Sequence, residues 1–174
     1  MLALWALSSA ALAGPLEAEL AEVRALIVAG EPKGALKQLK QIEASLSELP
    51  APADPKELAS VWLYRGAAEH LHGPKKERDI NAWRQALVID NSLAWDPELI
   101  DNDDMFSLFE ALRGEVRSRP SVSPALPEAT GAAVLYIDGV RMREDESLLS
   151  GLHLAQITCP DKQGTFGLLT DLTR

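Results

Sequence analysis

The chain has a single cysteine, Cys159, only three histidines, and fewer basic residues (17) than acidic ones (26). A lone cysteine cannot close an intramolecular disulfide, which excludes a disulfide scaffold and any multi-cysteine metal site. The formal charge of -9 has the wrong sign for nonspecific nucleic-acid binding, which needs a basic surface to neutralise phosphates. The longest basic cluster, Lys75, Lys76 and Arg78, is interrupted by Glu77 and reads as a solvated helix start. No apolar run reaches the roughly 20 residues of a membrane-spanning helix. No serine sits in a G-x-S-x-G elbow, and no glycine-rich phosphate loop precedes a helix.

What is present is a globular composition: 174 residues, 47% hydrophobic and 25% charged, with 11 glycines and 11 prolines. That length suits one domain or two small ones and can bury a core without metals or disulfides. Residues 1–13 form an uncharged apolar run ending in Ala11-Leu12-Ala13 before Gly14, an A-x-A cleavage pattern. The run predicts an export signal and a mature chain starting near Gly14, periplasmic or secreted. Its basic n-region is missing, so a start further upstream, or a short apolar helix of the fold, are the alternatives. No cysteine follows it, which excludes a bacterial lipid anchor at this site.

From residue 15 to about 119 the apolar spacing is helical, and short connections predict antiparallel neighbours. Leu16, Leu20, Val23 and Ile27 mark a first amphipathic helix, with Gly30 as its C-cap. Pro32 opens a second, carrying Ala35, Leu36, Leu39, Ile42 and Leu46. After Pro50 and Pro52, Asp54-Pro55-Lys56-Glu57 supplies an N-cap, an N1 proline and an acidic N3 residue for a third helix, which stops at Gly73-Pro74. A fourth runs through Ile80, Trp83, Ala86 and Leu87. Aspartates from Asp101 to Asp104 are expected to cap a fifth helix holding Met105, Phe106, Leu108, Phe109, Leu112 and Val116.

Pro120, Pro124 and Pro127 then predict a linker over 120–131 and a domain boundary. Beyond Gly131 the pattern alternates. Residues 134–137 read as a strand, Asp138-Gly139 as a tight hairpin turn, 152–159 as a strand, 160–164 as a loop and 165–172 as a last strand. The expected fold is α+β: an antiparallel helical-hairpin domain over 15–119 and a small antiparallel β module over 132–174. Such a module can hardly bury its own core, so it is expected to pack on the helices or on a partner.

Trp62, Gly66, Gly73, Trp83, Ala86, Leu87 and Asp90 resemble tetratricopeptide-type repeats, with Gly30, Ala35 and Leu39 as a weaker first unit. One extra residue stands in the turn, Asn91 replaces the usual proline, and Val23 stands where a glycine is expected. The stretch 134–139, followed by Gly151-Leu152-His153, is similar to PEGA modules of bacterial envelope proteins, without the Pro-Glu-Gly-Ala signature itself. The two resemblances together imply an exported, non-enzymatic interaction or scaffold protein. Carrying over the repeat family's groove positions implies Glu17, Leu20 and Arg24 on one helix and Leu63, Ala67 and His70 on the next as partner-binding residues.

Candidate chemistry is sparse. His70 and His72 stand two apart on a helix and point about 200 degrees apart, wrong for joint metal ligation. Asp101 and Asp103 share an i, i+2 spacing with calcium loops, but Phe106 and Leu112 occupy the positions of the required glycine and glutamate. Cys159 has no adjoining basic residue and reads as a buried strand-end residue, His153 as a surface or edge residue, and Trp62, Tyr64 and Trp83 as packing residues. No catalytic residue, metal or cofactor is expected. The sequence predicts a module binding an unidentified protein partner, without nucleic acid and without a membrane span, and leaves the oligomeric state open. The alternative is an envelope hydrolase or metal-dependent enzyme whose site forms between the domains from His70, His72 and the carboxylates of Asp101, Asp103 and Asp104. A chain that is part of a longer protein is a further possibility.

Overall fold

The computed structural model describes residues 14–73, 77–123, 133–143, 146–159 and 165–172. The 1–13 run, Lys75 and Lys76, most of the proline-rich linker and the 160–164 loop lie outside the described residues. Five helices precede an antiparallel sheet, an α+β architecture. They are α1 (Glu17–Val28), α2 (Pro32–Ser45), α3 (Pro55–His72), α4 (Arg78–Ile89) and α5 (Asp103–Arg117), with a short 3-10 turn, Leu46–Glu48, after α2. Each follows from a local signal. Gly30, at φ +74°, lets the Glu31 N–H donate back to Leu26 O at 2.8 Å, satisfying an orphan carbonyl of α1. Asp54 accepts from Lys56 N and Glu57 N at 2.8 and 3.3 Å, and Pro55 fills the first helical position of α3.

The cap of α5 is Asn102, not an aspartate: its Oδ1 accepts from Asp104 N and Met105 N at 2.8 and 3.3 Å. Asp103 and Asp104 occupy the first turn instead, where they suit the helix dipole. The buried stripe of α5 is Phe109, Leu112 and Val116, while Phe106 turns outward, 46% exposed.

The strands are β1 (Ser121–Val122), β2 (Val134–Ile137), β3 (Val140–Arg141), β4 (Leu148–Leu149), β5 (Gly151–Thr158) and β6 (Thr165–Leu172). Four form an antiparallel sheet in the order β3-β2-β5-β6, and β1 pairs with β4 as a separate ribbon, Ser121 opposite Leu149. Asp138 and Gly139 connect β2 to β3 with φ of +50° and +79°, the pair of positive values that a two-residue type I′ hairpin requires. The ribbon means that the segment after Pro120 is partly strand rather than linker throughout.

The sheet lies on the helices and shares their core. Leu154 of β5 belongs to the same buried cluster as Val23, Leu39, Leu58, Leu87 and Phe109. Gln156 is fully buried; it accepts from Ala53 N at 2.9 Å and donates to Ala51 O at 3.4 Å, so the proline-bearing connection before α3 finds its polar partners on β5. Two glycines permit this close approach. A Cβ at Gly139 would stand 1.7 Å from Ala53 O, and one at Gly167 would stand 2.9 Å from Ser47 Cα. Because Gly167 faces the helical unit, Phe166 and Leu168 point away from it, 64% and 67% exposed.

Candidate functional site

The six residues expected to line a groove divide into two groups. Leu20, Leu63 and Ala67 are buried at 6%, 3% and 1% exposure, so they belong to the core and present no surface to a partner. The physical reason is that α1 and α3 pack directly on each other, closing the space an open repeat would leave between them. Glu17 is exposed on α1. Arg24 is held by Asp96 at 2.9 Å and by Glu98, which ties α1 to the segment before α5. His70 Nδ1 meets Asp79 Oδ2 at 3.0 Å, and buried Asp79 also accepts from Ile80 N at 2.9 Å, so His70 fastens the α3–α4 hairpin.

The residues of the alternative enzymatic reading do not come together. His70 is committed to Asp79, His72 is exposed at the end of α3, and Asp101, Asp103 and Asp104 are exposed beside α5. Among the described residues, no three His, Cys, Asp or Glu side chains are grouped to hold a metal ion. Cys159 is half-buried just past β5 rather than buried.

His153 is neither a surface nor an edge residue: it is 1% exposed. Its Nδ1 lies 2.6 Å from Asp138 Oδ2 and its Nε2 2.7 Å from Leu149 O. Asp138 Oδ1 accepts from Leu154 N at 2.8 Å. Burial, the largest influence on the ring, favours its neutral form. The hydrogen bond and charge of Asp138, the Leu149 carbonyl and the more distant Asp171 outweigh it, and His153 is held above its ordinary value. His153 and Leu154 are neighbours on β5 and alternate across it, but nothing in β5 alone reveals that the Leu149 carbonyl of β4 lies against the His153 ring.

An open cavity of about 430 Å³ lies between the segment 94–103 and α5. Trp95, Pro97, Ile100 and Phe106 make its apolar walls, and Asp101, Asp103 and Glu110 stand at its rim. Trp95 is fixed from behind by an aromatic row. It meets Trp83 edge-on at 5.4 Å and Phe109 at 5.2 Å, and Trp83 in turn meets His70 at 5.8 Å. Arg113, the cation among the lining residues, is already engaged: it donates to Leu93 O at 2.7 Å, to Asn91 O and to Glu110 Oε1 at 3.1 Å, and lies over the Phe109 ring at 5.3 Å. Arg113 and Glu110 therefore offset each other, and Asp101 and Asp103 add uncompensated negative charge beside an apolar opening. Sequence reasoning missed Phe106 by counting it with the core of its helix. Its position just off the stripe of Phe109, Leu112 and Val116 was the available signal.

A second cleft, about 670 Å³, lies where α3, α4 and β5 meet and is lined by Trp62, Arg65, Glu69, Arg78, Asn81, Gln85 and Leu152. Its polar groups largely serve the fold: Arg65 pairs with Glu43 and stacks on Trp62 at 5.7 Å, and Gln85 donates to Leu152 O. No protein family, curated protein or solved structure matches the chain. Among the described residues no helix is long and apolar enough to cross a membrane.

Proposed function

We propose that the chain is a non-enzymatic protein-binding module of the bacterial cell envelope, periplasmic or secreted, that takes a basic, apolar-anchored protein segment into the cavity beside α5. The observation that carries this reading is Phe106, an exposed aromatic ring that lines the same cavity as Trp95, together with Asp101, Asp103 and Glu110. Aromatic walls that are held rigid from behind give a peptide side chain apolar contact at little entropic cost. An aromatic face also attracts a cation. With Glu110 paired to Arg113 and the Asp101 and Asp103 carboxylates left beside the opening, the complementary occupant carries lysine or arginine beside a leucine or an aromatic residue.

The envelope location rests on the apolar run of residues 1–13 and its Ala-x-Ala ending. The tetratricopeptide-like reading is supported by the close packing of α3 on α4, where a Cβ on Gly66 would stand 2.3 Å from Trp83 Cδ1, the small-against-large contact that the residue spacing implies. The PEGA-like reading rests on the β2–β3 hairpin and the strand that follows it.

Selection from a random peptide library on the full chain tests the binding site. The selected peptides are expected to pair a basic residue with an apolar one and to bind Phe106→Ala about tenfold or more weakly, the scale of a lost aromatic anchor. They should bind the Asp101→Asn/Asp103→Asn double variant several-fold more weakly, with the difference shrinking at high salt. Peptides that bind Phe106→Ala as tightly as the parent would overturn the assignment.

A further inference from the structure

His153, Asp138 and Leu149 form a closed polar triad inside the β module, and its two contacts to the ring require one proton more than a neutral imidazole beside a carboxylate supplies. A deprotonated carboxylate and a backbone carbonyl can only accept. With Asp138 Oδ2 at 2.6 Å from one ring nitrogen and Leu149 O at 2.7 Å from the other, both nitrogens must donate, and the ring that satisfies both contacts is the imidazolium. A neutral ring beside the carboxylate has one N–H and leaves one buried acceptor without its donor, a costly condition in a site whose side chains are only 1% and 6% exposed.

The three partners come from different elements. Asp138 is the first residue of the β2–β3 turn, His153 lies on β5, and Leu149 is on β4, whose only ladder partner among the described residues is β1. Asp171 of β6 is the further charged group acting on the ring, and Thr170 is its register partner. Arg119, just past α5, reaches Ser150 O at 3.4 Å and Glu115 rather than either member of the pair. The proton on His153 thus joins the β1–β4 ribbon, which follows directly on α5, to the hairpin and to β5.

We propose that His153 is a proton-operated latch: as the imidazolium it holds the β1–β4 ribbon against the hairpin turn and β5, and loss of its proton weakens that attachment. The sign follows from linkage. The latched state binds the proton more tightly than the opened one, so the latch is at full strength below the ordinary histidine value of 6.5 and is lost as pH rises through the latched value.

The test uses the full chain with labelled histidine side chains and amide hydrogen exchange across pH 6 to 9. The His153 ring should show both nitrogens protonated at pH 6.5 and should titrate above it. Protection of the amides from Leu149 to Leu154, corrected for intrinsic exchange, should fall by up to about tenfold per pH unit between 6.5 and the measured His153 value, then level off. In His153→Gln that slope should vanish while the amides of α3 and α4 keep their protection. A neutral His153 ring at pH 6.5, or the same slope in His153→Gln, would overturn the latch. Should His153→Gln fail to fold, the ring titration of the parent chain decides alone.

Discussion

Among the described glycines, Gly139, in the β2–β3 turn, leaves the least room for a side chain. Its φ is +79°, and a Cβ would lie 1.7 Å from Ala53 O. Alanine there adds left-handed strain of about 1–2 kcal/mol to an overpacking cost of about 1–3 kcal/mol. Gly139→Ala is therefore expected to lower unfolding stability by several kcal/mol in urea titration, and an unchanged midpoint would show that Ala53 does not pack on the turn. Leu63, 3% exposed, behaves as a core residue: Leu63→Ala should cost about 2–5 kcal/mol of stability while leaving peptide affinity of the folded fraction unaltered. Single residues were legible in the sequence when their role was local, as with Asp54 and the Asp138-Gly139 turn. His153 and Leu63 were not, because their surroundings lie on other elements: Asp138 and Leu149 enclose one from the hairpin turn and β4, and α1 and α2 pack on the helix that carries the other.

At the scale of elements, the junction into α5 positions the candidate site. Asn102 caps the helix, and the residues flanking it line the cavity. Asn102→Ala should cost about 1 kcal/mol of stability and weaken peptide binding more than its stability loss explains, because the fraying first turn carries Phe106. Equal affinity in the folded variant would mean that the cavity wall is held by the aromatic row alone. The five helices and the long strands were readable because each carries several turns of apolar period or several residues of alternation. The two-residue strands β1 and β4 were not, since two residues hold no period, and their pairing is set only when the chain returns beside α5. Phe106 belongs to the same lesson: helical spacing identifies the stripe, and only packing decides which edge of it stays in solvent.

For the molecule as a whole, the boundary drawn at the proline-rich stretch does not divide the core. Leu154 lies among the helical core residues, and Gln156 satisfies the buried Ala53 N–H across the junction. Gln156→Ala should destabilise the chain by about 1–3 kcal/mol by leaving that donor unpaired. The helical signal in circular dichroism and the amide NMR signals of β5 should shift to the same lower midpoint, and separate transitions would show that helices and sheet unfold as independent units. From its small size the β module was expected to pack on the helices or on a partner; it packs on the helices, and beside Leu154 the contacts made by Gly139, Gly167 and Gln156 carry no apolar signature that a sequence reading could find.

The most direct test of the binding account is an amide and indole NMR map of the full chain titrated with a selected basic peptide. The account predicts shifts at Trp95 and through residues 100–106, extending to Glu110, with the sheet residues Phe166 and Leu168 and the cleft residue Trp62 unmoved. Shifts centred on Phe166 and Leu168, or on Trp62, with Trp95 unchanged, would contradict it.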